Sequence, residues 1–255
     1  MILSIVTITY NNYSELKKTL DSIPEYDFVE SVVINGGDCP ATKEFLKSYK
    51  GKSITEKDNG IADAFNKGIK IASGDFIMFL NSGDLLINSN YLKKACEFFD
   101  SIDIDFVHSN LILANTLGAD LFMRPTFSNL GRGMPYLHPT MIVRKNVFER
   151  IGLFNSNYKI AMDFDFIVRL EKANFKGYYE KAGFPVEMKG TGISTANEAK
   201  ALHECFTILR VNDSLNVKNF FGYVQRYLLF LGRKFLGVSG QNDLLLKLKK
   251  RKHHA

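Results

Sequence analysis

Several absences narrow the field before any residue is read for chemistry. Cysteine is scarce: Cys39, Cys96 and Cys205 are scattered, odd in number and in no metal-ligand spacing. That excludes a disulfide framework and a thiolate zinc site, and fits reduced thiols in a cytoplasmic chain. No uncharged apolar run approaches the roughly 20 residues that a spanning helix needs. No signal peptide is visible, because Met1 leads straight into a strand-like run. No Gly-x-Gly-x-x-Gly follows that run, and no Gly-x-x-x-x-Gly-Lys-Ser/Thr phosphate loop occurs. Both absences argue against hydride transfer and ATP hydrolysis.

Acidic residues are nearly missing from one region. Residues 217–255 hold nine basic residues and one acidic, a local +8 in a chain of net +6, which leaves −2 for residues 1–216. Basic character spread over the whole chain would point to nucleic acid. Confined to a tail with large apolar residues, it does not, and no nucleic-acid partner is expected. The remaining composition, 45% apolar and 24% charged over 255 residues, is that of one globular domain with room for an appendage.

What is present alternates. Leu3–Ile8, Ser31–Ile34, Ser53–Thr55 and Phe76–Leu80 read as strands, separated by helices from Ser14 to about Ile23, Pro40 to about Tyr49 and Ile61 to Ala72. Four such alternations predict parallel βαβ units, with the continuous apolar run Phe76–Leu80 as a strand buried on both faces. Each strand ends in a small polar cluster: Thr9-Tyr10-Asn11-Asn12, Asn35-Gly36-Gly37-Asp38, Glu56-Lys57-Asp58-Asn59-Gly60 and Asn81-Ser82-Gly83-Asp84. In a parallel sheet these ends share one edge, where open α/β sheets bind ligands. Three features point to a nucleotide: Tyr10 as a stacking surface, the Asn35 amide as a base-edge partner, and the glycine pairs as places for close backbone approach.

These residues resemble family 2 glycosyltransferases of the GT-A fold, in particular bacterial enzymes that assemble colanic-acid and O-antigen type polysaccharides. The matching pieces run from Thr7-Ile8-Thr9-Tyr10-Asn11 through Asn35-Gly36-Gly37, the block Asp58 to Asp84, His138-Pro139 and Asp163-Phe164-Asp165 to Gly192-Ile193-Ser194-Thr195. The resemblance implies a single GT-A domain over 1–215, with a Rossmann-like nucleotide-sugar half (1–84) and an acceptor and catalytic-base half (85–215). It implies a nucleotide-sugar donor, UDP-sugar favoured, a divalent cation (Mn2+ or Mg2+) and transfer with inversion. Tyr10, Asn35 and Asp58 would surround base and ribose, with Thr7 in the same matched stretch, and Asp84 would hold the metal against the diphosphate. Asp163 would be the general base. Two departures stand out: Asn81-Ser82-Gly83-Asp84 replaces an Asp-x-Asp-Asp type pattern, leaving Asn81 able to bond a ribose but poor as a ligand, and Asn35 stands where many relatives carry Asp.

The chemistry asks for those residue types. A departing nucleoside diphosphate gains negative charge that a cation stabilises, and the attacking hydroxyl must lose a proton to a carboxylate on the opposite face of the sugar. Asp163 falls in the first turn of a predicted helix, as a base aimed into the cleft or as a plain cap. Asp165, two residues on, is expected to pair with Arg169. His138 has donor phosphates, metal and acceptor all open to it, besides a structural role. Asp63 and Lys67 reach the donor or sit on a solvated helix face. Ser194 lies in a glycine-flanked loop that closes over the donor or merely connects. Residues 124–135, rich in glycine and proline, read as a loop facing the acceptor.

The tail, 216–255, reads as a basic amphipathic helix, with Phe220, Val224, Tyr227, Leu228, Leu231 and Phe235 near one face and Lys247 to Lys252 beyond. That pattern suits an anionic membrane surface and a lipid-linked glycan acceptor, peripheral at the inner face of the membrane. Two other readings compete: a sugar nucleotidyltransferase, which lacks its glycine-rich basic signature here, and an inactive sugar-nucleotide-binding or membrane-adaptor protein.

Overall fold

A computed structural model describes residues 1–116, 119–126, 129–189 and 197–238. The alternation in the first 84 residues folds as the strand pattern requires. β1 (Leu3–Thr9), β2 (Val29–Asn35), β3 (Lys52–Thr55) and β4 (Phe76–Phe79) pair in parallel, linked by α1 (Tyr13–Ser22), α2 (Pro40–Lys47) and α3 (Ile61–Ile71). β4 is buried throughout, which is why its sequence shows no polar alternation. α1 starts at Tyr13 with Asn12 before it, so Ser14 lies inside the helix and does not cap it.

The second half adds β5 (Leu85–Leu86), α4 (Asn90–Ser101), β6 (Phe106–Ser109), β7 (Leu111–Thr116), β8 (Ala119–Met123), β9 (Ile142–Arg144), α5 (Lys145–Ile151), α6 (Met162–Lys172), β10 (Gly177–Glu180) and β11 (Val186–Lys189). α7 (Glu198–Val211) and α8 (Val217–Val238) close the described chain. The main sheet has seven strands in the order β10-β6-β9-β4-β1-β2-β3, and β9 runs antiparallel to both neighbours. A smaller sheet, β5-β11-β7-β8, stands beside it. It carries Asp84, just before β5, and Lys189, at the end of β11, to the same place.

Packing fixes the two halves together near the crevice. Phe65 of α3 and Phe79 of β4 meet at 4.2 Å between ring centroids, Phe154 lies 5.2–5.3 Å from both, and Phe166 of α6 stacks on Phe148 at 4.8 Å. Burying each such ring stabilises by about 1.5–3 kcal/mol. Asn66 of α3 grips the backbone of Phe154 with two 2.9 Å hydrogen bonds.

At the opposite edge of the sheet, Glu30 accepts from Ser4 Oγ (2.5 Å), Ser73 N (2.8 Å) and Ser73 Oγ (2.6 Å), and pairs with Lys52 (2.8 Å). Burial pushes its carboxyl up, but these bonds outweigh burial and hold it at about 2, against 4.5 ordinarily. A depressed carboxyl stabilises above its unfolded pKa and loses that stability as pH falls towards the folded one. Glu30→Gln should therefore lower Tm at pH 7, and thermal melts taken down to pH 2 should see the gap to wild type close below pH 4.5.

Candidate active site

The parallel strands bring the polar clusters to one edge. There the Asn11 side chain, on a residue with φ 52°, accepts from Asp38 N (2.7 Å) and Cys39 N (2.9 Å), tying the loop after β1 to the loop after β2. Tyr10 stands next to this tie in the chain and is 70% exposed, which leaves an aromatic side chain suited to stacking. Asp58 packs against Gly36 so closely that a Cβ there would overlap its carboxylate, which is the reason for glycine at 36. Asp58 Oδ1 accepts from Gly60 N at 3.1 Å.

Burial and bonding show where four of the candidate residues lie. Thr7 lies two residues inside β1 and is fully buried, and its hydroxyl has no hydrogen-bond partner. Asn35 is also fully buried, and its amide exchanges two 3.2 Å hydrogen bonds with Gly37. It shapes the turn in place of offering an open edge to a base. Asp63 accepts from Asn59 N (2.9 Å), and Lys67 bonds Glu56 (3.0 Å), Asp63 (3.3 Å) and the Lys57 carbonyl (2.8 Å). Both brace the Glu56–Gly60 loop from α3. Ser194 lies outside the described residues.

His138 opens a short 3-10 turn, His138–Thr140, and is buried among rings: Phe79 at 5.5 Å and Phe65 at 5.7 Å, both nearly parallel to it. Burial lowers its pKa to about 4. Burial thus favours the neutral imidazole, packed on the Phe79 and Phe65 rings.

Two carboxyl groups remain. Asp84 is 6% exposed, and burial pushes its pKa to about 7; hydrogen bonding with the backbone at Asn81 and Lys189 and the Lys189 charge pull down without offsetting it. Three residues earlier, Asn81 Oδ1 is buried with no hydrogen-bond partner. A buried carboxyl and an orphaned amide oxygen three residues apart, joined by the 2.8 Å bond from Asp84 N to the Asn81 carbonyl, are an unfinished polar set. Both are hard oxygen donors, which fits Mg2+ or Mn2+ with the other positions filled by diphosphate and water. Among the described residues no three His, Cys, Asp or Glu side chains cluster as a self-sufficient metal centre.

Asp163 sits in the first turn of α6, its Oδ1 accepting from Phe164 N at 2.7 Å. The residue keeps some exposed surface, but its carboxyl is crowded by protein, and burial raises its pKa to about 6. Arg226 of α8 pulls it down and Glu204 of α7 pushes it up. Asp165 points elsewhere and pairs with Arg169 at 2.9 Å, as its i+4 spacing predicts. The segment before α6 touches the loop before α3: Lys159 Nζ donates to the Asn59 carbonyl at 3.2 Å.

Glu204 and Arg226 carry no motif. Glu204 nevertheless interrupts the buried face Ala201, Cys205, Ile208 of α7, and a charge on an apolar stripe is a readable sign of a buried partner. Residues 129–133 seat α8: their 3-10 turn, Leu130–Arg132, meets Asn219 and Gly222, and a Cβ on Gly131 would run into the Asn219 carbonyl.

The family model described as "Glycosyl transferase family 2" matches residues 4–166. The "PGL/p-HBAD biosynthesis glycosyltransferase" of Mycobacterium bovis (strain BCG / Pasteur 1173P2) is 28% identical over 180 residues, 65% of this chain and 68% of that protein. An "Uncharacterized glycosyltransferase" of Rickettsia bellii is 26% identical over 210 residues, 77% of this chain and 30% of its own. Among solved structures, S. aureus TarS 1-349 in complex with UDP-GlcNAc superposes with TM-score 0.68 at 19% identity, covering 90% of this chain and 73% of TarS 1-349. Mannosyltransferase PcManGT from Pyrobaculum calidifontis, in complex with GDP-Man and Mn2+, gives TM-score 0.59 at 13% identity over 99% of this chain and 80% of its own. At these identities the two structures speak for the fold.

Proposed function

The chain belongs to glycosyl transferase family 2 and is a glycosyltransferase, and from that premise we propose that it moves a sugar, with inversion, from a nucleotide-diphosphate sugar to a hydroxyl of a lipid-linked glycan in surface-polysaccharide assembly. The observation that carries the reading is the buried carboxyl of Asp163, held at about 6 in the first turn of α6. A carboxylate with that pKa is ionised at neutral pH and more basic than an exposed one, as proton abstraction from a hydroxyl requires. UDP-sugar is the favoured donor, in keeping with the UDP-GlcNAc complex of TarS.

In this reading Tyr10 stacks on the base and Asp58 bonds the ribose. Asp84 would hold a divalent cation, with Asn81 Oδ1 as a weak additional oxygen donor. When bound, such an ion supplies positive charge for the departing diphosphate. Asp163 accepts the proton of the acceptor hydroxyl. Neutral His138 forms the apolar floor beneath. Asp84→Ala should abolish the increment in donor affinity that Mn2+ brings, leaving the metal-free value; calorimetric titration with and without Mn2+ measures it.

α8 supports the membrane part of the proposal. Its inner side, Asn219, Gly222, Tyr223, Arg226 and Arg233, faces the 3-10 turn and α7, with Arg233 paired to Glu198 and Tyr223 packed on Phe206 at 4.9 Å. Val217, Phe220, Phe221, Leu228, Leu231 and Phe235, all 42–76% exposed, fall on the other side. No described helix is long and apolar enough to cross a membrane; an apolar face turned outward suits one lying on it.

The deciding experiment incubates the protein with UDP-, GDP- and dTDP-sugars plus Mn2+, with and without a lipid-linked acceptor, and measures nucleoside diphosphate release. Acceptor-dependent release is expected. Pyrophosphate from a sugar phosphate and a nucleoside triphosphate would point to a nucleotidyltransferase, and binding without turnover to an inactive relative.

A further inference from the structure

The segment that leads into α6 is held from outside by one side chain. Glu204, buried on α7, accepts three successive backbone N–H groups: Lys159 on Oε1 at 3.1 Å, Ile160 on Oε2 at 2.9 Å and Ala161 on Oε2 at 2.8 Å. Ala161 immediately precedes α6 and offers no side-chain cap, so Glu204 does from a distance what a local capping residue does elsewhere. A carboxylate that accepts three successive backbone N–H bonds is fixed in place by them and holds that backbone in turn. The same segment extends to the donor side, where Lys159 Nζ bonds the carbonyls of Asn59 (3.2 Å) and Ser156 (3.1 Å).

We propose that Glu204 is a positioning residue for the transfer reaction: with Lys159 it forms a clasp that fixes the distance between the base-bearing turn of α6 and the donor loop Asp58–Gly60. The clasp adds to the Asn66–Phe154 bonds and the Phe65–Phe154–Phe166 packing, which already tie α3 to α6, and is the contact that reaches the donor loop itself at Asn59. Glu204 acts through Asp163, so this inference rests on the reading of Asp163 as base. Misplacing a reacting group by about 1 Å can cost roughly 100-fold in rate, which is the scale of the expected effect.

The test uses the full chain and the variants Glu204→Gln, Glu204→Ala and Asp163→Asn. Glutamine keeps the shape but presents an NH2 to at least one of the three N–H groups; alanine leaves all three unpaired. Amide exchange of residues 159–161 should rise in Glu204→Ala and, less, in Glu204→Gln, while β1 and β4 stay protected. The charged groups facing Asp163 are Arg226 from α8 and Glu204 from α7, with the Cys205 thiol beside them. Removing the Glu204 charge should therefore move the Asp163 titration, followed by carboxyl-carbon NMR, to lower pH. With the nucleotide sugar that turns over in the release assay, kcat should fall about 10-fold in Glu204→Gln and about 100-fold in Glu204→Ala, with donor KM within twofold.

Unchanged exchange at 159–161 together with an unmoved Asp163 titration would overturn the clasp. So would a loss of activity that merely tracks the folded fraction in thermal melts. Full turnover by Asp163→Asn would instead strike the base assignment, and the exchange and titration results would still decide whether the clasp exists.

Discussion

Asp163→Asn is expected to lower kcat by roughly 10²–10⁴-fold, the usual contribution of a positioned general base, while donor affinity stays within about twofold of wild type. Asparagine matches the carboxylate in shape and can keep the 2.7 Å bond from Phe164 N, but it cannot take a proton. The same carboxyl sets the acid limb of the wild-type profile. Its folded pKa is raised to about 6, so it is ionised above that value, and kcat should fall as pH drops through it. Asp165→Asn is the matched control. That carboxylate is bound to Arg169, whose guanidinium also holds the carbonyls of Ile151, Gly152 and Leu153; its loss should cost stability, with the acid limb unmoved. Wild-type turnover by Asp163→Asn would remove Asp163 from the mechanism.

Replacing Phe221, Leu228 and Phe235 together by serine should release the protein from anionic vesicles. All three are at least 61% exposed on the outer side of α8, so the fold loses little. Each apolar side chain withdrawn from water is worth about 1.5 kcal/mol at the low end; three make about 4–5 kcal/mol, roughly a thousandfold in partitioning. Co-sedimentation with vesicles containing phosphatidylglycerol reads the loss directly. Retained vesicle binding by the triple variant would sink the membrane proposal. A fall in apparent mass from dimer to monomer on gel filtration would show that a second copy of the chain covers this face instead.

The first 84 residues were readable because their signals are local. The apolar run of β4, the glycine after α3 and the polar strand ends all follow from periodicity and turn chemistry within a few residues. The parallel pairing of β1 to β4 then follows from the connections. β9 was not readable: three residues, Ile142–Arg144, carry no pattern that tells their direction, which is set by insertion between β4 and β6. The smaller sheet was hidden for the same reason, since its strands come from three separated stretches of the chain.

At the site, residue type was a better guide than residue role. Asp84 and Asp163 were legible as carboxylates at a strand end and in a first helical turn, and the structure places them there. That Asn35 turns inward to Gly37, or that Lys67 is spent on Glu56 and Asp63, depends on side-chain directions that spacing alone does not encode. Glu204 and Arg226 act across 41 and 63 residues from Asp163, and only tertiary packing brings them near it.

Because Arg226 reaches towards Asp163 from the inner side of α8, the last described helix is not a detachable handle. Shortening the chain ahead of Val217 to ease purification would delete a guanidinium that lowers the pKa of the carboxyl expected to deprotonate the acceptor. A trimmed enzyme would then be a different catalyst, and comparing its kinetics with the intact chain would confuse loss of anchorage with loss of chemistry.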